Sequence, residues 1–219
     1  MSAGGFTEDQ GVEALLSRWG IACKRPVGDR VEAYLGLLEQ WNRKVNLTGL
    51  RSREEILRDL FAESFLAAPL LAEQDGPLLD VGSGAGFPGL ALKIYRPELT
   101  VYLLEPRVKR ASFLETVRRR LGLEGVFVIG KRLEDCSSCD FGLAPRTVTL
   151  RGLGAIGTKV AWCDRLIQSS IKLVLFTTRR IWNDEIRKLP GVDWAVPIPV
   201  PWSRQRLLVS GIRVNQCST

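Results

Sequence analysis

The chain contains no histidine in its 219 residues. Imidazole is therefore excluded as a general base, a metal ligand or a switch near neutral pH. Ser-His-Asp hydrolysis, Cys-His proteolysis and histidine-ligated zinc go with it. Cysteine occurs five times, at 23, 136, 139, 163 and 217. An odd, scattered set does not describe a disulfide framework. Cys136-Ser137-Ser138-Cys139 is a lone C-x-x-C pair. It has neither the further ligands zinc needs nor the helix-opening position of a redox pair, and it reads as chance spacing in a loop. No apolar run approaches the roughly 20 residues that span a bilayer. Met1-Ser2-Ala3-Gly4-Gly5 lacks the charged-then-apolar order of a signal peptide. The expectation is a cytoplasmic protein with reduced thiols, no metal and no membrane partner.

What is present is an ordinary globular balance, 45% hydrophobic and 25% charged, with a net charge of +7. The length suits one compact unit with an extension. The charge is uneven. Residues 1–76 hold 9 Lys+Arg against 12 Asp+Glu, residues 77–150 hold 11 against 8, and residues 151–219 hold 11 against 4. A basic surface confined to the last two-thirds of the chain suits a polyanion.

Three helices are predicted first. Thr7-Glu8-Asp9-Gln10 reads as a capping box before Val12, Leu15, Leu16 and Trp19, with Gly20 as the stop. Val31, Tyr34, Leu35, Leu38 and Trp41 form a second stripe. Ser52-Arg53-Glu54-Glu55 is another capping box, leading into Ile56, Leu57, Leu60, Phe61 and Phe65. After Asp75-Gly76-Pro77 the pattern changes. Strand-like runs at 78–81, 100–104, 126–129, 147–150 and 171–176 alternate with helical runs at 88–95, 108–121 and 155–167. That alternation predicts an α/β fold with a parallel sheet between helices. Residues 194–200 and 206–214 also read as strands. Too few residues separate them for a parallel crossover, so the last strand should run antiparallel. Prolines at 197, 199 and 201 favour an edge position. The total is seven strands. The expected division is a helical cap over 1–76 and a sheet domain over 77–219, packed as one unit.

The most informative segment is Leu79-Asp80-Val81-Gly82-Ser83-Gly84-Ala85-Gly86-Phe87-Pro88-Gly89, a strand running through a glycine turn into a helix. Glycines permit positive φ and close approach to a ligand. Gly84-x-Gly86-x-x-Gly89 matches the dinucleotide fingerprint literally. Asp80-x-Gly82-x-Gly84-x-Gly86 matches the acidic glycine loop of S-adenosylmethionine (AdoMet) methyltransferases. The second register fits better, because Gly82 directly follows the strand and Asp80 is placed to orient the methionine end of the cofactor. Glu105, 19 residues after Gly86, ends the second strand where a carboxylate can accept from both ribose hydroxyls. Glu134 or Asp135, after the third strand, stands where an acid can meet the adenine amino group. Arg107, Lys109, Arg110, Arg118, Arg119 and Arg120 fall in or beside one helix. With Arg179, Arg180, Arg204 and Arg206 they point to RNA phosphates.

At these residues the chain resembles the bacterial 16S ribosomal RNA guanine-N7 methyltransferases, also called the glucose-inhibited division protein B family. The resemblance rests on Trp41-Asn42-Arg43-Lys44-Val45-Asn46-Leu47-Thr48, on the glycine segment with its Gly86-Phe87-Pro88-Gly89 ending, on Leu104-Glu105-Pro106-Arg107-Val108-Lys109-Arg110, and on Lys131-Arg132-Leu133-Glu134-Asp135. It implies a Rossmann-like seven-stranded methyltransferase sheet with an N-terminal helical extension. It implies AdoMet as cofactor, held at Gly82, Ser83, Gly84, Glu105, Leu133 and Glu134. It implies small-subunit ribosomal RNA, free or in the subunit, as partner, methylated at a guanine N7. Arg151, at the end of the fourth strand, matches the family's arginine at the methyl-transfer pocket.

Three segments depart from the family. Leu60-Phe61-Ala62-Glu63 stands for a His-x-x-Asp pattern, Thr177-Thr178-Arg179-Arg180 for a lysine-glycine pair, and Gln205-Arg206 for an arginine-histidine pair. These departures keep a rival reading open, a non-catalytic RNA-binding or assembly factor. A nicotinamide oxidoreductase is the more distant rival. Loss of histidine is compatible with the reaction, since guanine N7 carries a lone pair and needs no base to attack.

Overall fold

The computed structural model describes residues 11–50, 52–72, 76–152, 154–167 and 169–214. The first predicted capping box, Thr7 to Gln10, lies outside them. The extension begins with α1 (Val12–Arg18) and α2 (Arg25–Asn42). Gly20 follows α1 with φ +75°, a left-handed turn that glycine adopts without strain. The second capping box is present: the Ser52 hydroxyl accepts from the Glu55 N–H, and the Glu55 carboxylate accepts from the Ser52 N–H. It opens α3 (Arg53–Ile56), which continues through a π-turn, Leu57–Ala62, into α4 (Glu63–Phe65).

The sheet then alternates with helices as the hydrophobic runs predict. Its elements are β1 (Leu78–Val81), α5 (Gly89–Tyr95), β2 (Val101–Leu104), α6 (Val108–Arg120), β3 (Val126–Ile129), β4 (Thr147–Arg151), α7 (Ile156–Leu166) and β5 (Ile171–Thr178). After α8 (Arg179–Asp184) come β6 (Val192–Trp194), β7 (Ile198–Pro199) and β8 (Arg206–Arg213). The order is β3-β2-β1-β4-β5-β8-β6, with β7 also paired to β8. β1 to β5 are parallel and β8 runs antiparallel between β5 and β6. The run expected as one strand over 194–200 is two short pieces, and both pair with β8 on its outer side. Pro197 lies between them and has no N–H to give a ladder.

One hydrophobic cluster joins α1, α2 and the α3–α4 segment to α5, α6 and one sheet face. A second joins α7 to the other face. The extension therefore shares its core with the sheet. Tyr34, wholly buried on α2, stacks on Phe87 with centroids 5.5 Å apart and meets Phe61 edge-on at 5.3 Å. Strand order reverses between β1 and β4, and ligands of such sheets bind at the carboxyl ends there.

Candidate active site

β1 delivers the chain into the glycine turn at the carboxyl edge. Gly82, Gly84 and Gly86 all take positive φ, at 71°, 57° and 85°. Most backbone N–H groups of the turn are spent inside the chain. Gly82 and Ser83 both donate to the Leu104 carbonyl, Gly84 donates to Glu105 Oε2 at 2.9 Å, and Gly86 donates to the Ser83 carbonyl. The turn is thus braced against the end of β2, with Gly82, Ser83, Gly84 and Gly86 N–H all taken and few donors left for a pyrophosphate.

The other glycines have packing reasons. A Cβ on Gly86 would lie 2.2 Å from Tyr34 Oη, and one on Gly89 would lie 2.8 Å from Asp80 Oδ2 and 2.5 Å from a Leu103 methyl. Tyr34 Oη donates to the Ala85 carbonyl, so the extension grips the turn directly. Of the expected cofactor-binding glycines, Gly82 lines the cleft described below, Gly84 is bonded to Glu105 through its N–H, and Gly86 is taken up by Tyr34.

Asp80 also differs from expectation. Its side chain does not point to a ligand: Oδ2 accepts from the Gly89 N–H at 3.1 Å and Oδ1 from the Thr149 hydroxyl at 2.8 Å. It is 1% exposed, and burial pushes its carboxyl up to about 6 against hydrogen bonds from Thr149, Ser83 and Gly89. It ties β1, β4 and the start of α5 together beneath the turn. Ser83 likewise points inward, its hydroxyl donating to the Asp80 carbonyl.

Glu105 is buried and held by two backbone donors, Gly84 N–H on Oε2 and Arg107 N–H on Oε1, each at 2.9 Å. Each carboxylate oxygen still has a lone pair for a ribose hydroxyl. Beside it opens a cleft of about 330 Å³ lined by Val81, Gly82, Leu104, Leu133, Glu134 and Trp162, among others. Leu133 and Trp162 give it apolar walls suited to a flat base, and Glu134 stands at its rim. The structure thus brings Gly82, Gly84, Glu105, Leu133 and Glu134 to one place. Trp162, on α7, lies within the helical run 155–167, where no motif marks it for a ligand. Among the described residues no three His, Cys, Asp or Glu side chains cluster to hold a metal.

Past the end of β4 lies a second group. Arg151 Nη2 donates to the Asp59 carbonyl and to Glu63 Oε2, the latter at 3.2 Å. Arg206 Nη1 meets the same Glu63 oxygen at 2.8 Å and Asp59 Oδ1 at 3.0 Å. Arg58 forks onto Asp59 with two hydrogen bonds of 2.9 Å. Burial raises the Asp59 carboxyl, but Arg58 and Arg206 outweigh it and hold it below the usual range. Burial pulls Arg151 down, opposed mainly by Glu63. Two of the segments that depart from the family therefore meet: Glu63 and Arg206 form an ion pair.

The expected RNA-binding cations divide. Arg107, Lys109, Arg179 and Arg180 are exposed at the carboxyl edge of the sheet. Arg206 does not join them freely, because Glu63 and Asp59 bind it. Arg110 is half-buried; it donates to the Asn46 carbonyl and approaches within 3.8 Å of the Cβ position on Gly84, so it shields the turn. Arg118, Arg119 and Arg120 end α6, and a crossover helix runs back against its strands, which carries them to the far edge.

A glycine turn at the switch point, an acid at the end of β2 and an antiparallel strand beside β5 define the fold of an AdoMet-dependent methyltransferase. A SAM dependent methyltransferase from Aquifex aeolicus superposes with TM-score 0.55 and 16% identity, covering 74% of this chain and 94% of that one. Cofactor-bound Rv0187 from MTB superposes with TM-score 0.65 and 16% identity, covering 93% and 97%. The family model for rRNA small subunit methyltransferase G matches residues 28–190, and the chain belongs to that family. Relatives bearing the name Ribosomal RNA small subunit methyltransferase G include those of Desulfotalea psychrophila, 46% identical over 53% of this chain and 54% of its own length, and Syntrophotalea carbinolica, 32% identical over 74% and 75%. That of Halorhodospira halophila is 33% identical over 82% of each. The match thus spans about half the first relative's length and three quarters or more of the other two.

Proposed function

We propose that the chain transfers a methyl group from AdoMet to a guanine N7 of small-subunit ribosomal RNA. The observation that carries the cofactor assignment is the inward-turned glycine loop beside Glu105. A dinucleotide would need free N–H groups for its pyrophosphate, whereas AdoMet has no phosphate and carries a cationic sulfonium. Gly82 and Gly84 allow close approach, Glu105 receives the ribose hydroxyls, and Leu133, Trp162 and Glu134 enclose the adenine. AdoMet, when bound there, would supply an electrophilic methyl carbon to the N7 lone pair, the C–S electron pair staying on sulfur, so the chain needs no group to remove a proton.

The chain's part is placement. Arg151, at the end of β4 beside β1, offers a cation and N–H donors to a phosphate or to guanine O6. Arg107, Lys109, Arg179 and Arg180 give the same edge a positive field for RNA. The base leaves its stack to reach the cleft. Calorimetric titration with AdoMet and NAD in parallel tests the cofactor: AdoMet should bind and NAD should not. Labelled-methyl transfer to undermethylated small subunits tests the reaction. RNA binding without transfer would favour the assembly-factor reading. Arg151→Ala should leave AdoMet affinity near native and cut transfer about 100-fold; transfer at the native rate would remove Arg151 from the role.

A further inference from the structure

Glu63 is 3% exposed, a depth at which a carboxylate is costly unless paired. Its one contacting oxygen, Oε2, is shared by Arg151 Nη2 and Arg206 Nη1. The backbone contributes a second acceptor. In an α-helix the Glu63 N–H would bond the Asp59 carbonyl. In the π-turn it reaches the Arg58 and Leu60 carbonyls instead, and the Asp59 carbonyl accepts Arg151 Nη2. The guanidinium lies over the Phe176 ring, 5.4 Å from its centroid. Arg151 Nη1 is buried and has no hydrogen-bond partner among the described residues.

We infer that Glu63 is a positioning residue that, with the Asp59 carbonyl, commits Arg151 Nη2 and leaves Nη1, sealed from solvent until a base enters beside it, as the only Nη donor for that base. The inference rests on the methyltransferase reading above. Its reason lies in the chemistry of guanine. Arginine commonly forks onto guanine O6 and N7 together, two donors on two acceptors. Such a fork would occupy the N7 lone pair that must attack the methyl carbon. A single donor directed at O6 holds the base and leaves N7 free. Arg151 has the donors to fork, and the π-turn takes one side of them away. An unpaired buried donor is destabilising, and a base acceptor would relieve that cost on binding.

The test compares Glu63→Gln and Glu63→Asp with the native chain in three measurements. Nitrogen-15 arginine spectra, with the Arg151 signals assigned through Arg151→Lys, report whether the Nη groups are held. Native Arg151 should show slowly exchanging Nη protons, and E63Q should lose them. Calorimetry should give all three proteins the same AdoMet affinity within twofold. Transfer to undermethylated subunits should fall at least tenfold in kcat for E63Q with KM unchanged or lowered, because a forked arginine grips the ground state. E63D, which keeps the charge one methylene short, should fall between. Should E63Q not fold, E63D carries the same test with a smaller fall. Native kcat in E63Q, a fall matched by a rise in KM or in AdoMet Kd, or unchanged Arg151 signals would each overturn the inference. A native protein that binds no AdoMet would instead defeat the functional reading, while the spectra still decide whether Glu63 holds Arg151.

Discussion

Asp80 shows how a motif residue can acquire its role from what lies behind it. It ends β1 with one oxygen on the Gly89 N–H and the other on Thr149, in a site closed to water. Its carboxyl is raised from 3.8 to about 6, so the protonated form is favoured in the folded state. The sign follows: the stabilisation from this group is complete below its unfolded value and is lost as pH rises through about 6. Asp80→Asn keeps an acceptor for Gly89 and removes the charge. Urea unfolding of the two proteins between pH 4 and pH 7 should therefore show native stability falling relative to the variant as pH rises. Parallel curves would refute the raised value. The sequence placed an acid at the end of β1. It did not show that both oxygens turn inward, because Thr149 is 69 residues away and reaches Asp80 only through β1–β4 pairing.

At the scale of elements, α2 and the glycine turn are one device. Tyr34 fills the space above Gly86 and donates to the Ala85 carbonyl within a buried aromatic group. Tyr34→Phe leaves that carbonyl unsatisfied and should cost about 1–3 kcal/mol. Gly86→Ala meets the Tyr34 oxygen at 2.2 Å and demands φ +85° of an alanine. It should destabilise by more than about 2 kcal/mol. The double variant should cost less than the sum, since removing the hydroxyl relieves the nearest clash. Strict additivity in thermal or urea unfolding would show that the two residues do not share the site. The amphipathic spacing of Val31, Tyr34, Leu35 and Leu38 revealed that these residues face a core. It did not reveal that the core includes the turn, because periodicity identifies a buried face and not its partner.

Across the whole molecule, charge is sorted by direction along the sheet. Arg107 and Lys109 open α6 at the carboxyl edge, with Arg179 and Arg180 after β5 at the same edge. Arg118, Arg119 and Arg120 lie at the other end of α6. Neutralising Arg179 and Arg180 should lower the salt dependence of subunit binding. The slope of log K against log salt should fall by about 1 for each phosphate that is no longer neutralised. Neutralising Arg119 and Arg120 should leave the slope unchanged. Equal effects of the two pairs would place the RNA elsewhere. No helix among the described residues is long and apolar enough to cross a membrane. The basic composition was plain in the sequence. The separation of Arg107 from Arg120 was not, since it depends on a crossover helix running back against its strands.

By itself the sequence determined the order of the five parallel strands and the helices between them, the antiparallel last strand, the glycine turn and the acid after β2. Each is a local matter of periodicity, turn chemistry or chain length between strands. The absence of histidine likewise excluded whole chemistries without any fold. Only the tertiary structure decided which loop N–H groups are spent internally, which glycine answers to Tyr34, and which cations face outward. It also brought Glu63, Arg151 and Arg206 together, from three segments up to 143 residues apart. A buried charge is bound by whatever folding sets beside it, and no spacing along the chain records that neighbour.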